Sequence, residues 1–254
     1  MMQIVKLILL YFGYQLLAGA VMTGISLVCP LGLGVQLGWS LLLSGVVMII
    51  HLIAFRYVNL RQALAPVSLP TLLVSVGCIL SAMLCFNALS ELVGLPDLLE
   101  EHFIALSQTV TGVLSVALVA PFVEELVFRG AIMRHLQERG LSPRMVILVS
   151  ALLFGIVHVN PVQVLFAFLM GLVLGWIAWR TGSLVPVVVG HILNNATGVM
   201  ELYISGNGEK PIGTMEELSV PVLVALAVIG LLLTILLGMF LQYNIRKKGI
   251  KDIE

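Results

Sequence analysis

Two adjacent carboxylates, Glu124 and Glu125, precede Arg129 in a stretch that is otherwise lipid-like: Glu124-Glu125-Leu126-Val127-Phe128-Arg129. An ionisable side chain at bilayer depth costs about 3 kcal/mol on insertion scales, so it faces a cavity or a partner. In a regular helix Arg129 lies one turn beyond Glu125 and can reach it along one face. Glu124 then points about 100° away and is available for other work. Two further apolar stretches carry polar groups. One ends in Phe154-Gly155-Ile156-Val157-His158, and the other holds His191-Ile192-Leu193-Asn194-Asn195. His191 and Asn195 are four apart, so a helix places them on one face about 6 Å apart. A carboxylate beside a histidine can hold and deprotonate a water. A second histidine and an asparagine amide are donors suited to a developing oxyanion. Together they suit attack of water on an amide.

The elements that must position these groups follow from composition. Of 254 residues, 60% are hydrophobic and only 10% charged, and the mean hydropathy is +1.12. Soluble domains are about a quarter charged. The expected class is all-α: a polytopic transmembrane helical bundle, with residues 1–254 forming a single membrane domain in the lipid bilayer. Lys+Arg and Asp+Glu balance at 13 each, so charge gives no reason to expect nucleic acid. Cys29, Cys78 and Cys85 lie in or beside apolar runs without metal-ligand spacing, which reads as small core residues. The first apolar stretch is too long for a signal peptide and reads as a retained span.

Apolar runs predict about eight spans, near 4–28, 34–55, 68–90, 109–133, 144–159, 162–180, 184–200 and 219–241. Arg56 and Arg61 follow the second, Arg134, Arg139 and Arg144 the fourth, Arg180 the sixth, and Arg246, Lys247, Lys248 and Lys251 the eighth. The intervening loops are neutral or acidic, with Asp97, Glu100 and Glu101 after the third span and Glu201, Glu209, Glu216 and Glu217 after the seventh. The positive-inside rule then puts the basic loops and both termini in the cytoplasm. Ser142-Pro143 and Asn160-Pro161 read as helix starts, and Gly140 and Gly182 as helix ends. Leu95 to Ser107 reads as a short helix on the outer surface. Gly171 and Gly175 suggest a close helix contact.

Helical rise sets the depth of the polar groups. Counted from the basic ends of their spans, Glu124, His158, His191 and Asn195 lie about 14 to 21 Å into the bilayer. The hydrocarbon core is about 30 Å thick, so all four fall near its middle. Singly, an intramembrane histidine is more often a packed residue, and an asparagine more often interhelical glue. Four such groups at one depth favour one polar site. No His-Glu-x-x-His helix is present, and no paired intramembrane aspartates. His51, His102 and His135 fall outside this layer and are assigned no role.

Taken in order, Glu124-Glu125-x-x-x-Arg129, Phe154-x-x-x-His158 and His191-x-x-x-Asn195 resemble the CPBP family. That family comprises type II (Ras-converting) CaaX prenyl endopeptidases and bacteriocin-processing or immunity (Abi-like) proteins. The resemblance covers roughly residues 110–200, the expected catalytic core. It implies an intramembrane endopeptidase in which Glu124 is the general base, activating a water with His158. It also implies that His191 and Asn195 form the oxyanion hole, with Glu125 and Arg129 in support. A glutamate-based mechanism without a cofactor is favoured; zinc would draw on Glu124, His158 and His191, since three protein ligands and a water make a catalytic site. The expected substrate is a prenylated protein, a peptide or a membrane-protein segment, and the short loops favour a bacterial plasma membrane. The alternative, from another class, is a non-proteolytic bacteriocin immunity or regulatory membrane protein of the same fold. A proton pathway is disfavoured, because the spans carry no further ionisable steps to either surface.

Overall fold

The computed structural model describes residues 2–207 and 215–247. Among these the regular structure is helical. The helices are α1 (Met2–Val28), α2 (Leu33–Ala54), the single turn α3 (Leu60–Ala63), α4 (Leu69–Val93) and α5 (Glu100–Ser107). They continue as α6 (Val110–Glu138), α7 (Pro143–Ile156), α8 (Pro161–Thr181), α9 (Val185–Gly206) and α10 (Val220–Lys247). The expected spans therefore coincide with helices to within six residues at each end. Six of these helices (α1, α2, α4, α6, α8 and α10) are long and apolar enough to cross a membrane. The other two expected spans depart for different reasons. With 14 residues, α7 rises about 21 Å, less than the hydrocarbon thickness. α9 has the length, with 22 residues, but His191, Asn194, Asn195, Thr197 and Glu201 dilute its apolar character. Leu9, Leu16 and Leu17 on α1, and Leu232, Leu236 and Phe240 on α10, are all more than half exposed. Such continuous apolar faces suit lipid rather than water.

Helix ends follow local chemistry. Pro143 and Pro161 occupy the first helical position after Ser142 and Asn160, where a missing N–H costs nothing. Neither preceding side chain caps its own helix. The Asn160 side chain instead donates to Asp97 Oδ1 at 2.8 Å and accepts from the Leu98 N–H at 3.0 Å. Gly140 and Gly182 have φ of 77° and 64°, the left-handed conformation that ends a helix. Residues 100–107 form the short helix expected in that loop. Of the cysteines, Cys78 and Cys85 are buried as expected, whereas Cys29 is exposed. Cys29 lies just past the end of α1 and directly before Pro30, beyond the helical packing.

The chain forms two compact units. The first comprises Met1–Asn59, Leu99–Val127 and Ile192–Ile212. Its packing depends on glycines of α2. A Cβ on Gly34 would fall on the Ala105 carbonyl, and one on Gly38 would lie 2.6 Å from the Gly112 nitrogen. One on Gly45 would lie 2.6 Å from a Val119 methyl. The missing side chains let α5 and α6 pack directly on the α2 backbone.

The second unit comprises Leu60–Leu98, Phe128–His191 and Gly213–Glu254. α4 and α10 form its most extensive helix pair, around Cys85, Ala88, Leu223 and Ala227. α7 packs on α8, where Gly171 meets Ala151 and Phe154, and Gly175 meets Ile147 and Met133. This is the close contact that the small residues suggest. Ser183 Oγ donates to the Ala65 carbonyl at 2.6 Å, and the Leu184 N–H to the Ala63 carbonyl at 2.7 Å. These bonds pin the segment around α3 to the α8–α9 corner.

At Gly230, an added Cβ would lie 2.7 Å from the Cys85 nitrogen and 2.8 Å from the Ser81 carbonyl oxygen. These are backbone atoms that cannot step aside. Gly230→Leu should therefore destabilise the α4–α10 pair by about 1–3 kcal/mol, the usual cost of overpacking. Thermal unfolding in detergent checks this, with Gly24→Leu as the control. No neighbouring atom lies within 4 Å of a Cβ on Gly24, so that variant should unfold like the wild type.

Candidate active site

In the first unit the site residues are shaped by an irregular helix. α6 contains two π-helical stretches, Ser115–Val119 and Leu126–Ile132, on either side of an α-helical stretch, Ala120–Glu125. The first has a local cause. Pro121 has no N–H, and in a regular helix its ring clashes with the carbonyl four residues back. The turn before it widens, and the Ala120 N–H bonds to the Ser115 carbonyl, five residues back. The Val116 carbonyl then has no donor four residues ahead, where Ala120 is taken up by Ser115, and none five ahead, where Pro121 has no N–H. Asn195 Nδ2 donates to it instead, at 3.0 Å. Asn195 Oδ1 in turn accepts from Asn194 Nδ2 at 3.0 Å. One amide hydrogen of Asn195 thus maintains the helix, and an amide carries two.

Glu124 and Glu125 end the α-helical stretch, 8% and 0% exposed. Glu124 Oε1 accepts a hydrogen bond from the Tyr11 hydroxyl of α1 at 3.3 Å. Tyr11 lies in a region where the sequence showed no motif. Arg129 lies in the second π-helical stretch, Leu126–Ile132. Such local widenings of an α-helix recur at functional sites.

In the second unit one aromatic ring gathers the remaining groups. The guanidinium carbon of Arg129 lies 4.3 Å from the centroid of the Phe154 ring, within reach of a cation–π attraction. Arg129 Nη2 also donates to the Gly171 carbonyl at 3.3 Å. His158 meets the same ring edge to face at 4.8 Å and 83°, and His191 does so at 5.8 Å and 87°. Phe128 packs on it at 5.1 Å. Phe154 is 2% exposed, Arg129 5% and His191 6%. The sequence supplied Phe154 only as a motif letter; its role as a common platform depends on where α6, α7 and α9 meet the ring.

His158 Nδ1 lies 2.7 Å from the Phe154 carbonyl. A carbonyl only accepts, so Nδ1 donates. In the neutral ring the proton is therefore on Nδ1, and Nε2 carries the lone pair. His158 follows α7 in a tight corner. The Asn160 N–H bonds to the His158 carbonyl at 2.6 Å, and Val159 has φ of 59°. A β-branched residue with positive φ is strained. The buried Asn160 side chain, bonded to Asp97 and Leu98, holds this corner in place.

Among the remaining histidines, His51 Nδ1 pairs with the Tyr14 hydroxyl at 2.9 Å, and its ring stacks on Tyr57. Among the described residues, no group of three or more His, Cys, Asp or Glu could hold a metal ion.

The link between Pro121 and Asn195 is testable by a double-mutant cycle. Asn195→Ala leaves the Val116 carbonyl without its donor and should cost about 1–3 kcal/mol of stability. In a Pro121→Ala background the residue at 121 regains its N–H and the turn can return to α register. There the same substitution should cost less than half as much. Equal costs in both backgrounds, measured by unfolding in detergent, would show that the two residues are independent.

Comparison with known proteins bears on the same stretch. No curated protein and no solved structure matches the chain. Glu124, Glu125, Arg129, Phe154, His158, His191 and Asn195 all lie within residues 106–197. Those residues, somewhat over a third of the chain, match the family model described as Type II CAAX prenyl endopeptidase Rce1-like. The match agrees with the resemblance carried by the three motifs: residues 106–197 are similar to Rce1-like, type II CAAX prenyl endopeptidases.

Proposed function

We propose that the protein is an intramembrane endopeptidase that hydrolyses a peptide bond of a membrane-associated substrate, either a prenylated CaaX-type C-terminus or a hydrophobic peptide. One observation carries this reading. Every residue of the three polar motifs lies in the stretch that matches a protease family, while Glu124, Glu125, Arg129 and His191 are all buried. Burial of this many ionisable groups is costly unless they serve a site.

In the proposed reaction a water molecule attacks the carbonyl carbon of the scissile amide. Its proton passes to Glu124, with the lone pair on His158 Nε2 sharing the water. The carbonyl oxygen becomes an oxyanion, held by His191 and by the second amide hydrogen of Asn195. Donors of this kind are each worth about 10²–10³ in turnover. Glu124 then returns the proton to the leaving nitrogen as the C–N bond breaks, giving a carboxylic acid and an amine, and the acid's proton passes to the amine to leave a carboxylate and an ammonium. Glu125 and Arg129 support the base. Arg129 is fixed by Phe154 and the Gly171 carbonyl. The basic loops after α2, α6, α8 and α10 support a cytoplasmic location for both termini.

Cleavage by the purified, detergent-solubilised protein tests the reading. The probes are a quenched fluorescent farnesylated CaaX peptide and a library of unprenylated hydrophobic peptides. Wild type should cleave at least one of them, and a strong chelator should leave the rate unchanged. His158→Ala should lower turnover by at least about a hundredfold. Cleavage lost in chelator and restored by zinc would replace the glutamate mechanism with a metal-dependent one. No cleavage of any peptide by wild type would favour the immunity or regulatory alternative.

A further inference from the structure

Tyr11 stands outside the matched stretch, 113 residues from Glu124 in the chain, yet its hydroxyl donates to Glu124 Oε1 at 3.3 Å. Both residues belong to the first unit. Tyr11 lies nine residues into α1, about 14 Å along it, a depth near the middle of a bilayer. Gln15 lies one turn further on along the same helix. In an otherwise aliphatic helix, a hydroxyl at this depth is costly unless it has a partner. Glu124 supplies one, and the benefit runs both ways. A carboxylate that accepts a fixed hydrogen bond on Oε1 has lost its freedom to rotate, so Oε2 is presented in one direction.

We propose that Tyr11 is a positioning residue for the base: α1 reaches Glu124 through this hydroxyl and fixes the carboxylate so that a single oxygen faces the attacking water. This rests on the proposed proteolytic function. α1 is then part of the active machinery as well as of the membrane anchor.

Tyr11→Phe removes the hydroxyl and leaves the ring. The kinetic test uses the farnesylated CaaX peptide, or whichever library peptide wild type cleaves. Loss of one hydrogen bond to a carboxylate at this length should lower kcat about tenfold, with KM unchanged. Tyr14→Phe, which cuts the contact to His51, should leave both constants at wild-type values. An infrared test is independent of turnover. The difference spectrum between wild type and Glu124→Gln isolates the Glu124 carboxyl band, and Tyr11→Phe should shift that band while Tyr14→Phe does not. An unmoved band, or an unchanged kcat, would overturn the proposal, as would a raised KM with kcat unchanged. If wild type cleaves nothing, the proteolytic reading fails by itself. The infrared band then decides alone whether Tyr11 orients the carboxylate.

Discussion

The structure depends on one constraint: charged and strongly polar groups buried in an apolar helical chain must each be met by protein. Glu125 has no exposed surface, and Arg129 and Glu124 are 5% and 8% exposed. Transfer of such groups into an apolar medium costs several kcal/mol each unless partners are fixed in place. The molecule supplies them by unusual means. Arg129 lies over an aromatic face and bonds to a glycine carbonyl, Glu124 accepts from a tyrosine of a distant helix, and a proline-induced gap in α6 is closed by an asparagine of α9. Groups held this tightly lose little entropy when a reaction develops charge beside them.

The same constraint accounts for the departures from regular helix. Pro121 directly precedes the stretch that carries Glu124 and Glu125, and its missing N–H opens the turn before them. A second π-helical stretch contains Arg129 itself. The tight corner after α7, with positive φ at Val159, carries His158. Strain thus occurs next to the proposed catalytic groups, as it does at Arg56 after α2, while α1, α4 and α10 remain long and regular. Strain of this kind persists only where the surroundings over-determine it. The Asn160 bonds to Asp97 and Leu98 and the Asn195 bond to Val116 do so here.

Much of this was legible in the sequence, and for identifiable reasons. Apolar runs and Pro/Gly punctuation give the helices, because Pro143, Pro161, Gly140 and Gly182 act through local backbone chemistry alone. The motif residues stand out because Glu, Arg, His and Asn are anomalous among Leu and Val. Membrane crossing was less legible. Hydropathy alone predicts a span over 144–159, whereas the helix there ends at Ile156, before the tight corner that carries His158. Hidden altogether were the contacts of ordinary-looking residues. Tyr11 belongs to a helix with no motif, and Phe154 is one of ten phenylalanines. Gly34, Gly38 and Gly45 reveal their purpose only when a Cβ is placed on them. The register shift in α6 was equally hidden, since Pro121 permits a kink, a break or a widened turn, and the Asn195 donor that meets the freed Val116 carbonyl comes from α9, far along the chain.

The account turns on whether Glu124 is chemically active or only a buried charge at home in its partners. Paired turnover and thermal unfolding of Glu124→Gln separate these most directly, because the amide keeps the shape of the side chain and loses only its ability to take a proton. The account predicts that peptide cleavage falls at least about a thousandfold while the unfolding midpoint holds or rises. Cleavage retained by folded Glu124→Gln would contradict it.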